Sequence, residues 1–185
     1  MKYKSFRIRN FKGIKDTTVE LHGLAGANVF ALVGLNESGK TTLLEAIHSF
    51  APDHATSELL GGEEGVPFKD RVPRHLISEF TGNVSVTATV LVSSQDKKTI
   101  ARDLLEQLGL IADESDFPDE IIFESLQRFE NGDFKEDIFE LHTSFKVKTG
   151  KQRNWRNYTC RGARSHQGLN IRAHSRHCIF PNPCF

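Results

Sequence analysis

The chain has 185 residues, of which 38% are hydrophobic and 26% charged, and its 24 Lys/Arg balance its 24 Asp/Glu. This composition excludes a fibrous or wholly disordered protein, and the length suffices for one domain that buries about 70% of its unfolded surface. No apolar run reaches transmembrane length, and the first residues, MKYKSFRIR, alternate charged and apolar side chains. We therefore expect no signal peptide, no membrane partner and a cytoplasmic location.

The charges are distributed unevenly along the chain. Residues 1–150 contain 17 Lys/Arg and 24 Asp/Glu, whereas residues 151–185 contain 7 Lys/Arg and no acid. Residues 1–159 contain no cysteine and cannot depend on disulfide bonds. We therefore predict a lobe over residues 1–150 and a basic tail with Cys and His over residues 151–185.

The first predicted elements are an antiparallel hairpin, a strand and a helix. Residues 3–9 and 17–21 alternate apolar and polar side chains around a turn at 10–13, as in a hairpin. The apolar run at 28–33, NVFALV, is typical of a buried strand. Apolar residues at 43, 44, 47 and 50 share one face of a helix that should stop before Pro52.

Between that strand and helix lies a glycine loop with the pattern of a phosphate-binding loop. Gly34 and Gly39 permit close approach, so that successive backbone N–H groups can point at phosphate oxygens. Lys40 can reach the β- and γ-phosphates, and the Thr41 hydroxyl can ligate Mg²⁺. We predict a nucleotide site formed by Gly34, Leu35, Asn36, Glu37, Ser38, Gly39, Lys40, Thr41 and Thr42.

The later elements are predicted from turn residues and apolar spacing. Residues 53–80 contain several Gly and Pro, which indicates an irregular segment with short helical pieces at 56–60 and 74–80. The apolar patterns predict a strand at 84–92, helices at 99–110 and 119–130, and a strand pair at 137–148 and 153–159. The acidic stretch 113–120 between the two helices is predicted to be a solvated connection rather than a metal site.

Two motifs taken together resemble a known family. FRIRNFKGI at 6–14, followed by GLNESGKTTLLEAI at 34–47, resembles the start of ABC-type ATPases of the RecF, SMC and OLD group, which are AAA-family ATP-binding proteins. The resemblance implies an α/β fold: the N-terminal lobe of a P-loop NTPase, with an antiparallel hairpin beside the P-loop strand and helix and an incomplete sheet. It also implies ATP and Mg²⁺ as cofactors and a basic residue, Lys12, that approaches the nucleotide.

The resemblance further implies a function for a full protein of this kind. Two ATPase heads sandwich two nucleotides, and their closure acts on DNA or on a nuclease domain or partner, in DNA repair or in defence against phage and other foreign DNA. The family's acidic Walker B strand end and Ser-Gly-rich signature segment are not found; the nearest candidate, Glu120–Glu124, fits a helix better. We assign no catalytic residue and expect weak or no ATP hydrolysis from this segment alone.

Two other functions remain open. The pattern GxxESGK also resembles the loop of G-protein α subunits, which would make the chain a GTP-dependent switch, although the guanine-reading Asn-Lys-x-Asp element is absent. Alternatively, the chain is a non-catalytic module that holds nucleotide or DNA.

The tail has three interpretations. The first is a metal site, although the spacing matches no zinc pattern; its ligands would be Cys160, His166, His174, His177, Cys178 and Cys184. The second is a basic arm for nucleic acid, with Trp155 and Tyr158 stacking on bases. The third, which we favour, is a frameshift or truncation product without a selected structure.

Overall fold

The computed structural model describes residues 1–21, 29–50, 67–151, 154–165 and 168–172. Its strands are β1 (Lys2–Phe11), β2 (Ile14–Glu20), β3 (Gly82–Leu91), β4 (Leu110–Ala112), β5 (Glu120–Glu130), β6 (Asp133–Thr149), β7 (Arg156–Ser165) and β8 (Gly168–Arg172). Its helices are α1 (Lys40–Phe50), α2 (Phe68–Arg71) and α3 (Ser94–Leu108), with 3₁₀ turns at Arg74–Leu76 and Glu114–Asp116. None of the helices in these ranges is long and apolar enough to cross a membrane.

The eight strands belong to one open sheet in the order β2-β1-β3-β5-β6-β7-β8, with β4 paired to β6. The pairs β1–β2, β4–β6, β6–β7 and β7–β8 are antiparallel. The predicted α/β class, with an antiparallel hairpin and an open sheet, is therefore confirmed. The predicted strand pairs appear as β1 with β2 and as β6 with β7, and the predicted strand at 84–92 appears as β3.

The described chain divides into two compact units, and the first comprises residues 4–88 and 125–137. Its core includes Phe6, Ile8 and Phe11 of β1, which are fully or almost fully buried. The rings of Phe6 and Phe50 meet edge to face, with centroids 5.8 Å apart. This contact anchors the C-terminal end of α1 to the first strand of the hairpin.

A row of aromatic side chains holds α2 in the same unit. Phe68 stacks on Phe134 with centroids 4.2 Å apart, and Phe134 meets Phe129 edge to face at 5.8 Å. The guanidinium of Arg71 lies 4.5 Å from the centre of the Phe68 ring. These contacts fix α2, and with it the backbone of Arg71, against the β5–β6 hairpin.

The second unit comprises the described parts of residues 1–3, 89–124 and 138–185. Its helix α3 begins with a capping box, in which the Ser93 hydroxyl accepts from the Asp96 N–H and the Asp96 carboxylate accepts from the Ser93 N–H. It ends at Gly109, whose φ of 62° lies in the left-handed region. The helix predicted at 99–110 is confirmed, and it buries Ile100 and Leu104.

The helix predicted at 119–130 is wrong, because these residues form β5. The buried face of the strand is Ile121, Phe123, Ser125, Gln127 and Phe129. Ser125 and Gln127 are polar, so the apolar residues alone do not show the alternation of buried and exposed positions that is typical of a strand. Gln127 Nε2 donates to Ser125 Oγ at 3.1 Å and to Asp137 Oδ1 at 2.9 Å, so the amide nitrogen is satisfied. The amide oxygen Oε1 is buried and has no hydrogen-bond partner among the described residues.

Only short elements are described in the irregular segment at 53–80 and in the acidic stretch at 113–120. The helical piece predicted at 74–80 is a 3₁₀ turn at Arg74–Leu76, and the piece predicted at 56–60 lies outside the described residues. In the acidic stretch, Asp113 Oδ1 accepts from the Ser115 N–H at 2.9 Å and so caps the turn at 114–116.

Regular structure continues into the predicted tail as far as Arg172 in β8. Tyr158 is buried and stacks on Phe145 with centroids 5.1 Å apart, so it is not available to stack on a nucleic-acid base. Trp155 is partly exposed, and the ammonium of Lys148 lies 4.6 Å from the centre of its ring. Apart from the backbone of Cys160, the proposed metal ligands lie outside the described residues.

Candidate functional site

The glycine loop is an exposed turn that leads directly into α1. Ser38 N–H donates to the Leu35 carbonyl at 3.3 Å, and Leu43 N–H donates to the Gly39 carbonyl at 2.9 Å, which starts the helix. Glu37 and Gly39 have φ values of 63° and 86°, both in the left-handed region. Glycine adopts this conformation freely, whereas it costs the glutamate about 1 kcal/mol.

The side chain of Lys40 closes the loop. Its Nζ donates to the Gly34 carbonyl at 2.9 Å, to the Leu35 carbonyl at 2.6 Å and to the Ser38 hydroxyl at 3.3 Å. A Cβ at residue 34 would lie 3.0 Å from Ser38 Oγ, so a larger residue there would need a small shift of the Ser38 side chain. The loop is thus wrapped around a positive charge.

The beginning of α1 adds a second positive contribution. The first backbone N–H groups of a helix have no partner within the helix, and the helix dipole places a partial positive charge there. The first turn of α1 contains Thr41 and Thr42 and no acidic residue. Thr41 is exposed, and its hydroxyl beside Lys40 suits a magnesium ion bound together with phosphate oxygens.

The turn of the first hairpin brings Lys12 to α1. Lys12 has a φ of 51°, and its N–H donates to the Arg71 carbonyl at 2.6 Å. Its Nζ donates to Glu45 Oε2 at 2.6 Å. Glu45 follows Thr41 by one helical turn on the same face, and helical side chains lean toward the N-terminus. The Lys12 ammonium is therefore paired with the face of α1 that carries Thr41.

Sequence reasoning missed two residues of this arrangement, Glu45 and Arg71. The position of Glu45, four residues after Thr41, was a usable signal, because residues at that spacing are neighbours on a helix. Arg71 gave no signal, since it supports Lys12 through its backbone carbonyl.

The segment before the loop differs from the prediction. Residues 29–35 form no strand, and the side chains of Val29, Phe30, Leu32, Val33 and Leu35 are exposed. The predicted buried strand is therefore wrong for the described residues 29–33. A strand that is apolar on both faces is stable only between two neighbouring strands and two covering layers, and the described strands do not pair with it.

A family model described as an AAA ATPase domain matches residues 1–167, a range that includes the glycine loop and Lys12. The chain belongs to the AAA ATPase domain family. A search of curated proteins gives no significant match. One solved structure, from work on ATP-driven dimerization and DNA-stimulated activation of SMC ATPases, aligns with 77% of this chain and 70% of that chain, at 15% identity and a TM-score of 0.45.

Membership in the AAA ATPase domain family confirms the resemblance to P-loop ATPases that the two sequence motifs indicated. It supports nucleotide binding by an ATPase, and the family implies that the nucleotide is ATP. The glycine loop of the AAA ATPase domain has the features that such binding requires: a lysine within the loop, a helix that starts at that lysine, and no acid in the first turn.

Proposed function

We propose that this AAA ATPase domain binds Mg-ATP through residues 34–42. The observation that carries the proposal is the position of Lys40, whose Nζ lies within hydrogen-bond distance of three loop oxygens at the start of α1. Backbone N–H groups of the loop and the first turn bind the phosphates, and the helix dipole favours their negative charge. The Lys40 ammonium, the backbone N–H groups and the helix dipole therefore all favour binding of the same polyphosphate.

Ser38, Lys40 and Thr41 of the loop have separate parts in this proposal, and so does Lys12. Phosphate oxygens compete for Lys40 with the Ser38 hydroxyl, which at 3.3 Å is the longest of the three contacts. The two carbonyl contacts keep the ammonium in the loop during that exchange. Thr41 supplies a hydroxyl ligand for Mg²⁺, which neutralises phosphate charge when it is bound. Lys12, paired with Glu45, places an ammonium on the face of α1 that carries Thr41.

For the whole protein, we propose a P-loop ATPase of the RecF, SMC and OLD kind. A second ATPase head completes the site, and nucleotide-dependent closure acts on DNA or on a nuclease domain or partner, in DNA repair or in defence against phage and other foreign DNA. The paired motifs at 6–14 and 34–47 support this assignment. This segment by itself binds ATP but hydrolyses it weakly or not at all. Positioning of water and charge stabilisation dominate phosphoryl transfer, and the Walker B and signature segments that would supply them are not found in the sequence.

The test is the binding of a fluorescent ATP analogue, with Mg²⁺ and with EDTA, to the parent and to Lys40→Ala. We expect Lys40→Ala to weaken binding at least tenfold and EDTA to weaken binding to the parent. Lys15→Ala is the matched control, because it removes the same charge from an exposed position of the same unit. Equal affinity of the parent and Lys40→Ala would overturn the proposal.

Competition between nucleotides separates ATP from GTP. We expect unlabelled ATP to displace the analogue at a lower concentration than GTP does. Stronger displacement by GTP would instead support the GTP-dependent switch. Hydrolysis is measured in the same samples, and rapid turnover that Lys40→Ala abolishes would show that the segment is a catalyst without its partner.

A further inference from the structure

The ion pair between Lys12 and Glu45 differs from the exposed ion pairs of the same unit. Its side chains are only 24% and 13% exposed, and it joins two elements that lie 33 residues apart in the chain. By contrast, Arg7 and Asp16 form an equally short pair within one hairpin, with side chains 47% and 48% exposed. Exposed pairs of that kind contribute little to stability.

We infer that Glu45 is a positioning residue of the nucleotide site, which holds the Lys12 ammonium beside the first turn of α1. This inference rests on the proposed binding of Mg-ATP at residues 34–42. Glu45 does not touch the nucleotide in this proposal. It acts through Lys12, and Lys12 in turn cancels the negative charge of Glu45 near the phosphates.

Hydrogen bonds hold the backbone of the turn that contains Lys12 and so orient its side chain. The turn is fixed at its base by the hydrogen bond from Lys12 N–H to the Arg71 carbonyl, and Asn10 Nδ2 donates to the Asn83 carbonyl at 2.9 Å. Lys12 also has a left-handed backbone conformation, which is unfavourable for a residue with a Cβ. The turn thus holds a lysine where a glycine would fit with less strain, and its ammonium reaches α1.

The charges of Lys12 and Glu45 should affect the affinity of the site for an anionic ligand. The carboxylate of Glu45 leans back toward the first turn of α1, where the phosphates bind in the proposal. A bare carboxylate there would repel the polyphosphate, and the paired Lys12 removes that repulsion. A bare Lys12 without Glu45 would retain its charge but lose its fixed position. The two residues should therefore affect nucleotide affinity in a coupled manner.

A double-mutant cycle tests the inference. Mg-ATP affinity is measured for the parent, Lys12→Met, Glu45→Gln and the double variant, with folding checked by circular dichroism and thermal unfolding. We expect Lys12→Met to weaken binding about tenfold and Glu45→Gln about threefold. The double variant should bind more tightly than Lys12→Met, because the uncompensated carboxylate has gone.

Arg7→Met and Asp16→Asn provide the control cycle on the exposed pair of the same hairpin, and they should change affinity less than twofold. If Glu45→Gln lowers the melting temperature but leaves Mg-ATP affinity unchanged, the pair is structural only and the inference is wrong. Additive effects on affinity would also overturn it. Failure of the proposed function is distinguishable, because then the parent and Lys40→Ala would bind Mg-ATP equally.

Discussion

Lys12 Nζ lies 2.6 Å from Glu45 Oε2, and this contact connects the turn of the first hairpin to the helix that follows the glycine loop. The same turn is bound through the Lys12 N–H to the carbonyl of Arg71. Residues from three separate stretches of the chain are therefore linked through Lys12.

Replacement of Gly39 by alanine should impair the loop without any steric clash. Gly39 has a φ of 86°, but an added Cβ would meet no atom within 4 Å. The cost should therefore come from the left-handed backbone alone, about 1–2 kcal/mol. We expect about tenfold weaker Mg-ATP binding, measured by fluorescence titration. Gly13→Ala is the control, since Gly13 has equal space and no left-handed φ, and it should leave affinity unchanged.

The segment before the loop should tolerate truncation of its apolar side chains. Val33 is 94% exposed, whereas Val86 of β3 is 1% exposed. We expect Val33→Ala to change the free energy of unfolding by less than about 0.5 kcal/mol, and Val86→Ala to lower it by about 2 kcal/mol. Urea denaturation measures both. A loss at Val33 as large as that at Val86 would show that the segment is buried in solution.

The N-terminal cap of α3 should make stability depend on pH. Burial would raise the pKa of Asp96, but hydrogen bonds from Ser93 and the amino group of Met1 outweigh it, so the pKa lies below its ordinary value. Stability from this carboxylate is present above the unfolded pKa, about 3.9, and is lost as pH falls through the folded pKa. Asp96→Asn should cost about 1 kcal/mol at pH 7.

The check on this prediction is denaturant unfolding of the parent and Asp96→Asn from pH 7 down to pH 3. We expect the difference between them to shrink as the pH falls below about 4, since the parent's carboxylate then becomes protonated. A constant difference over the whole range would mean that the charge of Asp96 does not contribute.

The turn between β5 and β6 should be intolerant of any side chain at Gly132. A Cβ there would lie 2.4 Å from the Ile77 carbonyl oxygen, and the φ is 78°. Both strain and overlap with backbone should then destabilise the fold, by about 3 kcal/mol in total. Gly109→Ala is the control, because Gly109 has a φ of 62° and open space, and should cost about 1 kcal/mol. Thermal unfolding compares the two variants.

The success and failure of sequence reasoning can be traced to particular segments. The β1–β2 hairpin and α3 follow from local apolar spacing and local turn residues, and both were predicted correctly. β5 was predicted as a helix because Ser125 and Gln127 occupy its buried face, and only the partner Asp137 on β6 shows why they are tolerated there. A pattern of apolar residues carries no information about such hydrogen bonds.

At residues 29–33 a strand was predicted that the structure does not contain, whereas at β5 a strand was missed. Its composition is that of a buried strand, but burial requires neighbouring strands, and the described strands do not pair with it. Strand formation depends on partners distant in sequence, whereas a helix such as α1 makes its backbone hydrogen bonds within itself. This is why the helix after the glycine loop was predicted correctly from its apolar spacing.

The sequence by itself determined the chemical type of the candidate site, because residues 34–42 are contiguous and a loop followed by a helix needs only local backbone geometry. Two short motifs also indicated the family, and a family model that matches residues 1–167 confirms it. The tertiary structure alone decided that Glu45 and Arg71 support Lys12, and that Lys12 reaches α1. Those contacts join residues tens of positions apart, and only the packing of the hairpin, α1 and α2 brings their atoms within hydrogen-bond distance.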